Sequence, residues 1–187
     1  MSIRGAGAWT LIPGLLLLWG CAGGESADLP RTGDVDAGAP TVQVDLPDRE
    51  EFVRNGLIHP GETRAALAER LGPPDSIHFE VVANRHVPNV TDSLFTVHYR
   101  DLTAGIHRPG SGGELLSSVE VTGNRHLRHP VIGMDAAAML AAFGPPDERT
   151  DSTLTYRCTT CIAGDDPVIF TLESGEVRRV RFGYYVD

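Results

Sequence analysis

The 187 residues carry 16 basic side chains, every one of them arginine, against 25 acidic ones, for a formal net charge of -9. So acidic a chain is poorly matched to nucleic acid or to anionic lipid headgroups, and no nucleic-acid partner is expected.

In chain order, Met1 to Arg4 is short with one positive charge, an apolar stretch follows to Trp19, and Gly20 precedes Cys21. That is the layout of a secretory signal. Its strongly apolar residues are fewer than the roughly 20 that cross a bilayer as a helix. Leu18-Trp19-Gly20-Cys21 resembles the lipobox of bacterial lipoproteins, with Trp19 where the pattern usually has a small or aliphatic residue. The resemblance implies a diacylglycerol on the Cys21 sulfur, removal of residues 1–20 as a signal peptide, and a lipid-anchored chain in the cell envelope, at the outer membrane facing the periplasm. Ordinary secretion with Cys21 as a passenger is the competing reading.

Residues 21–47 are rich in Gly, Ala, Asp and Pro without a sustained apolar period. They are expected to be a flexible linker with a mean span of about 28 Å. Asp48 to Asn55 predicts a small helix stopped by Gly56.

An internal repeat follows. Gly61 to Asp75 aligns with Gly133 to Asp147 without a gap at a spacing of 72 residues, and seven of fifteen positions are identical, Gly-Pro-Pro-Asp among them. Each copy predicts a short helix: Thr63 and Asp135 as N-caps, Gly72 and Gly144 as left-handed terminators, and prolines that forbid continuation. Leu67, Ala68 and Leu71 match Met139, Leu140 and Phe143 on one apolar face.

After each helix the period becomes alternating. The first copy predicts strands over Ile77 to Val82, Leu94 to Leu102 and Leu116 to Thr122; the second predicts Thr153 to Cys158 and a hairpin turning at Glu173-Ser174-Gly175-Glu176. The expected fold class is α+β: two tandem repeats, 48–123 and 124–187, each a short helix or helix pair packed on a small antiparallel sheet. The two are expected to share an interface or to join their sheets into one curved surface.

Ile132-Gly133-Met134-Asp135 with Phe143-Gly144-Pro145 resembles the BamE-like (SmpA/OmlA) lipoprotein domain. The tandem duplication is similar to the β-lactamase-inhibitor-protein family. His59-Pro60, between Ile58 and Gly61, departs from the first pattern. The resemblance covers residues 50–187 and implies protein binding: help with barrel assembly in single-domain members, enzyme inhibition in tandem ones. No inhibitory loop can be carried over residue by residue.

Setting Cys21 aside leaves Cys158 and Cys161 as a pair. A small structural disulfide is the expected reading in an oxidising compartment, against redox or metal use and free thiols. Asn84-Arg85-His86 recurs as Asn124-Arg125-His126, but no histidines stand at i and i+4, so the tripeptides read as surface loops and no metal is expected. No nucleophile elbow, phosphate-binding loop or metalloprotease helix is present, and no cofactor or catalytic residue is assigned. Arg178, Arg179 and Arg181 read as a charge-protected sheet edge or, with Tyr184 and Tyr185, as a protein-binding strip.

The expected function is that of a non-enzymatic envelope lipoprotein that binds another envelope protein, in outer-membrane protein assembly or envelope integrity. The alternative is an inhibitor-like binder of an extracytoplasmic enzyme. A third, an envelope enzyme or metal-handling protein, would be favoured by a polar pocket with converging His and Asp.

Overall fold

The computed structural model describes residues 46–158 and 166–184. The chain runs α1 (Arg49–Asn55), α2 (Arg64–Leu71), β1 (Ser76–Ala83), β2 (Thr91–Tyr99), β3 (Leu102–Arg108) and β4 (Leu115–Val121). A single 3-10 turn (Asn124–His126) leads to α3 (Ala136–Phe143), β5 (Glu148–Arg149), β6 (Thr153–Arg157), β7 (Pro167–Glu173) and β8 (Glu176–Gly183). No helix among the described residues is long and apolar enough to cross a membrane.

The two repeated helices start on the caps their sequences predict, and α1 starts on Asp48, expected as its first residue and found as its N-cap. Asp48 accepts from the Glu51 amide at 2.9 Å, Thr63 from Ala66 at 3.1 Å and Asp135 from Ala138 at 2.7 Å. Each such bond satisfies one of the four amides that a helix start leaves without a partner. Gly72 and Gly144 end the two repeated helices at φ values of 85° and 73°, where a side chain would be strained.

The eight strands form one antiparallel sheet in the order β1-β2-β3-β4-β8-β7-β6-β5. This overturns the expectation of two tandem repeats, each with a small sheet of its own under a helix: the molecule is an open eight-stranded sheet with few helices. The physical reason lies at the seam. Ser118 to Val121 of β4 pair with Gly183 to Val180 of β8, which removes two edges that separate sheets would have left unpaired. The helices are too small to organise separate layers. Only Leu67 of α2, and Met139 and Phe143 of α3, are buried.

One apolar face crosses that seam without a break. Val97, Ala104, Val119, Phe182, Val168 and Tyr156 stand opposite one another on successive strands, and Tyr99, Leu102, Val121, Val180, Phe170 and Leu154 form the next row. These rows join Phe52, Leu67, Met139 and Phe143 of the helices in one core. Phe52 lies with its ring 5.1 Å from Phe143, 5.7 Å from Phe170 and 6.2 Å from Phe182.

The strand reading also needs correction in detail. The stretch predicted as one strand from Leu94 to Leu102 turns at Arg100-Asp101, and β3 goes on to Arg108. The hairpin at Ser174-Gly175 is as predicted, with both residues at positive φ, 54° and 83°, the backbone that suits a two-residue turn between twisted strands.

Candidate binding face

Every strand residue that does not face the core faces the other side of the sheet, where no described helix lies. Ser76, His98, Thr103, Glu120, Arg181, Ile169, Thr155 and Glu148 form one row there across all eight strands. Next to it run Thr96, Gly105, Ser118 and Gly183. A Cβ on Gly105 would stand 2.6 Å from Ser118 Oγ and 2.9 Å from Ser117 Oγ, so both hydroxyls would have to turn aside to admit one.

At the middle of this face the seam strand β8 presents Arg179 and Arg181. Arg179 reaches Glu120 on β4 at 3.4 Å and Glu173 on β7 at 3.8 Å, while its Nε is buried without a hydrogen bond. Arg181 is exposed and has no ion-pair partner among the described residues. The reading of the arginine cluster as a protected edge is therefore corrected, because β8 is an interior strand.

Tyr184 does not join the arginines. It packs against the core side, its ring 6.4 Å from His59, and burial pushes its phenol up to about 12. Tyr185 lies outside the described residues, as do Cys21 and Cys161. Cys158 is buried at the end of β6. The pairing expected of Cys158 with Cys161 thus lies outside what the structure describes.

One corner of the open face deepens into a pocket of about 960 Å³, between the β1–β2 loop and the β3–β4 loop. Its centre is Asp92, 6% exposed. Asn84 Nδ2 donates to both carboxylate oxygens at 3.0 and 2.9 Å, the Gly110 amide donates at 2.9 Å, and His107 Nε2 lies 3.2 Å away. The Asn84 bonds, then the Gly110 amide, then His107 hold the carboxyl below its usual range against the opposing effect of burial. Charged Asp92 therefore sets the proton on Nε2 of His107. Asn84 Oδ1 accepts from the amides of His86 and Val87 at 2.8 and 2.7 Å, so the same asparagine shapes the loop and holds the carboxylate.

The second Asn-Arg-His tripeptide has the same logic on another turn. Asn124 Oδ1 accepts from the Val131 and Ile132 amides, and His126, buried, lies 3.0 Å from Asp101, which also binds Arg125. The surface-loop reading holds for Asn84-Arg85-His86, whose His86 is exposed, but in Asn124-Arg125-His126 it hid a buried histidine–carboxylate contact. Their repetition was the available signal. Asp92 and His107 had none, because each is one polar position in an alternating strand. Among the described residues no group of three or more His, Cys, Asp and Glu comes together to hold a metal ion.

The open face is thus a polar sheet surface with unspent arginine donors at its centre and a preorganised pocket at one corner. Comparison with known proteins finds no matching family, no matching characterised protein and no matching solved structure.

Proposed function

We propose that this is a lipid-anchored envelope protein that binds another protein on the open face of its sheet, in outer-membrane protein assembly or envelope integrity. The observation that carries the reading is the pair of arginines on β8. Arg181 is exposed and has no ion-pair partner among the described residues, and beside it the half-exposed Arg179 guanidinium reaches Glu120 and Glu173 only at 3.4 and 3.8 Å. Arginine is also a preferred anchor at protein interfaces. The partner that fits is one presenting carboxylates.

Anchoring through Cys21 belongs to the same proposal. A tether and a linker turn a three-dimensional search into a high local concentration, so modest contacts suffice. Crosslinking in intact envelopes, with the parent chain and Arg179→Glu/Arg181→Glu, tests the face. Equal recovery of the same partner by both chains would sink the reading. Recovery of a soluble hydrolase instead of barrel-assembly components would favour the inhibitor-like alternative. Palmitate labelling of parent and Cys21→Ser tests the anchor separately.

A second reading rests on the corner pocket, where an Asp92-oriented His107 faces the cavity beside Ser111 and Ser117. There the imidazole would serve a small polar ligand or a reaction. A ligand screen in which His107→Ala removes a thermal shift seen with the parent chain would promote this reading over the first.

A further inference from the structure

The two ends of the sheet differ. It closes at one end on β5, two charged residues long, and ends at the other on the eight residues of β1. Along β1 the residues on the core side are Ile77, Phe79 and Val81, opposite Val97, Phe95 and Ser93 of β2. They are 45%, 68% and 59% exposed, and make up half of the large exposed apolar side chains among the described residues. Short or charged edges resist further pairing, whereas a long apolar edge invites it.

Hydrogen-bond parity is fixed by the loop end of the hairpin. The Asn84 amide donates to Val90 O at 2.9 Å. In an antiparallel ladder every second residue bonds to the same neighbour, so Val82, Glu80 and His78 turn their amides and carbonyls toward β2. The amides and carbonyls of Ile77, Phe79 and Val81 therefore point outward. Among the described residues no strand pairs with that side of β1, so the outward backbone and the exposed apolar stripe belong to the same three residues.

We propose that two copies of this chain pair antiparallel through β1, with Phe79 opposite Phe79 on the two-fold axis. Outward-facing residues must meet outward-facing residues, which leaves registers centred on His78, Phe79 or Glu80 near the middle of the strand. Centring on Glu80 sets two carboxylates directly opposite, which is destabilising. Centring on His78 sets imidazole against imidazole and shortens the overlap. Centring on Phe79 pairs His78 with Glu80 twice and Ile77 with Val81 twice, so both faces of the strand are self-complementary.

The flanking structure fits that centre. Phe79 stacks on Phe95 at 5.9 Å, and the Arg64 guanidinium lies 3.7 Å from the centroid of Phe95. Pairing at Phe79 joins this stack to its two-fold copy in one aromatic row with an arginine over each end. Opposed aromatic residues in a sheet are a favourable cross-strand pair.

Sedimentation velocity of the full chain in a non-ionic detergent, over a concentration series, tests the proposal. The parent chain is expected to dimerise. Phe79→Glu is expected to weaken the dimer at least about tenfold, equivalent to about 1.4 kcal/mol. Val81→Pro deletes an outward amide and leaves the β2 ladder intact, so it is expected to weaken the dimer likewise while keeping the parent's circular dichroism. Oxidative crosslinking fixes the register: Phe79→Cys is expected to give a covalent dimer, and His78→Cys and Glu80→Cys no more than the parent with its own cysteines. A parent chain that stays monomeric, or a Phe79→Glu chain that dimerises like the parent, overturns the dimer. Preferential crosslinking through His78→Cys or Glu80→Cys overturns the register.

Discussion

The halves of the sheet on either side of the β4–β8 seam are built from similar parts and finished differently. In the β5–β8 half, α1 lies against α3 and the sheet. Phe52 fills the space between Phe143, Phe170 and Phe182, and Arg49 clamps Asp147 at 2.6 Å while reaching Arg157 O at 3.2 Å. The β1–β4 half has α2 with one buried residue, a bare edge strand and the corner pocket. Two Gly-Pro-Pro-Asp turns make the same bond into the sheet, Asp75 N to His98 O at 2.8 Å and Asp147 N to Thr155 O at 2.9 Å, yet only Asp147 also holds an arginine from α1. The difference teaches that one half supplies stability and the other keeps its apolar edge and polar cavity available.

The largest expected effect comes from emptying the closed half. Phe52→Ala removes a ring 1% exposed and should cost about 3–5 kcal/mol, read from denaturant unfolding. A loss below about 1 kcal/mol would mean that α1 does not hold the second half. The Arg49–Asp147 clamp should contribute less, roughly 1 kcal/mol, lost in Arg49→Ala.

That clamp also predicts a pH dependence. Partial burial pushes the Asp147 carboxyl up, but the bonds from Arg49 and the Arg157 amide outweigh it and hold the carboxyl below its usual value. The folded state therefore binds this proton less readily than the unfolded one. Its contribution is complete above the unfolded carboxylate range and disappears as the pH falls through the lowered value. Melting temperature against pH should fall more gently on acidification in Arg49→Ala than in the parent chain.

Smaller effects are expected in the open half. Asp92→Ala should leave the global melting transition nearly in place and raise amide exchange at His86, Val87 and Gly110, the amides that depend on Asn84 and Asp92. Equal protection in both chains would show that the pocket loops do not need the carboxylate. Smallest of all, Tyr184 should ionise only near pH 12 in an ultraviolet titration, above an exposed phenol, because burial raises it.

Local structure was legible in the sequence wherever one side chain acts on its own backbone. The caps Thr63 and Asp135, the terminators Gly72 and Gly144, and the Ser174-Gly175 turn all follow from such short-range chemistry. β3 was missed because Leu102, Ala104 and Ile106 alternate with Thr103, Gly105 and His107, a pattern with little apolar contrast. The candidate face was legible only in part. Arg179 and Arg181 could be named, but which strands would flank them could not.

What the sequence by itself determined is the helices, their caps and terminators, the final hairpin and the inward row of most strands, because caps, glycines and alternation act within a few residues. Only the tertiary structure decided that β4 meets β8, making one sheet of two runs of strands. That pairing joins positions about 60 residues apart in the chain, Ser118 with Gly183 and Val121 with Val180. Nothing local distinguishes β4 as a seam strand from β1 as an edge, since both carry an apolar alternation. The choice is made where the core rows can continue and unpaired backbone can be removed, and both are properties of the assembled sheet.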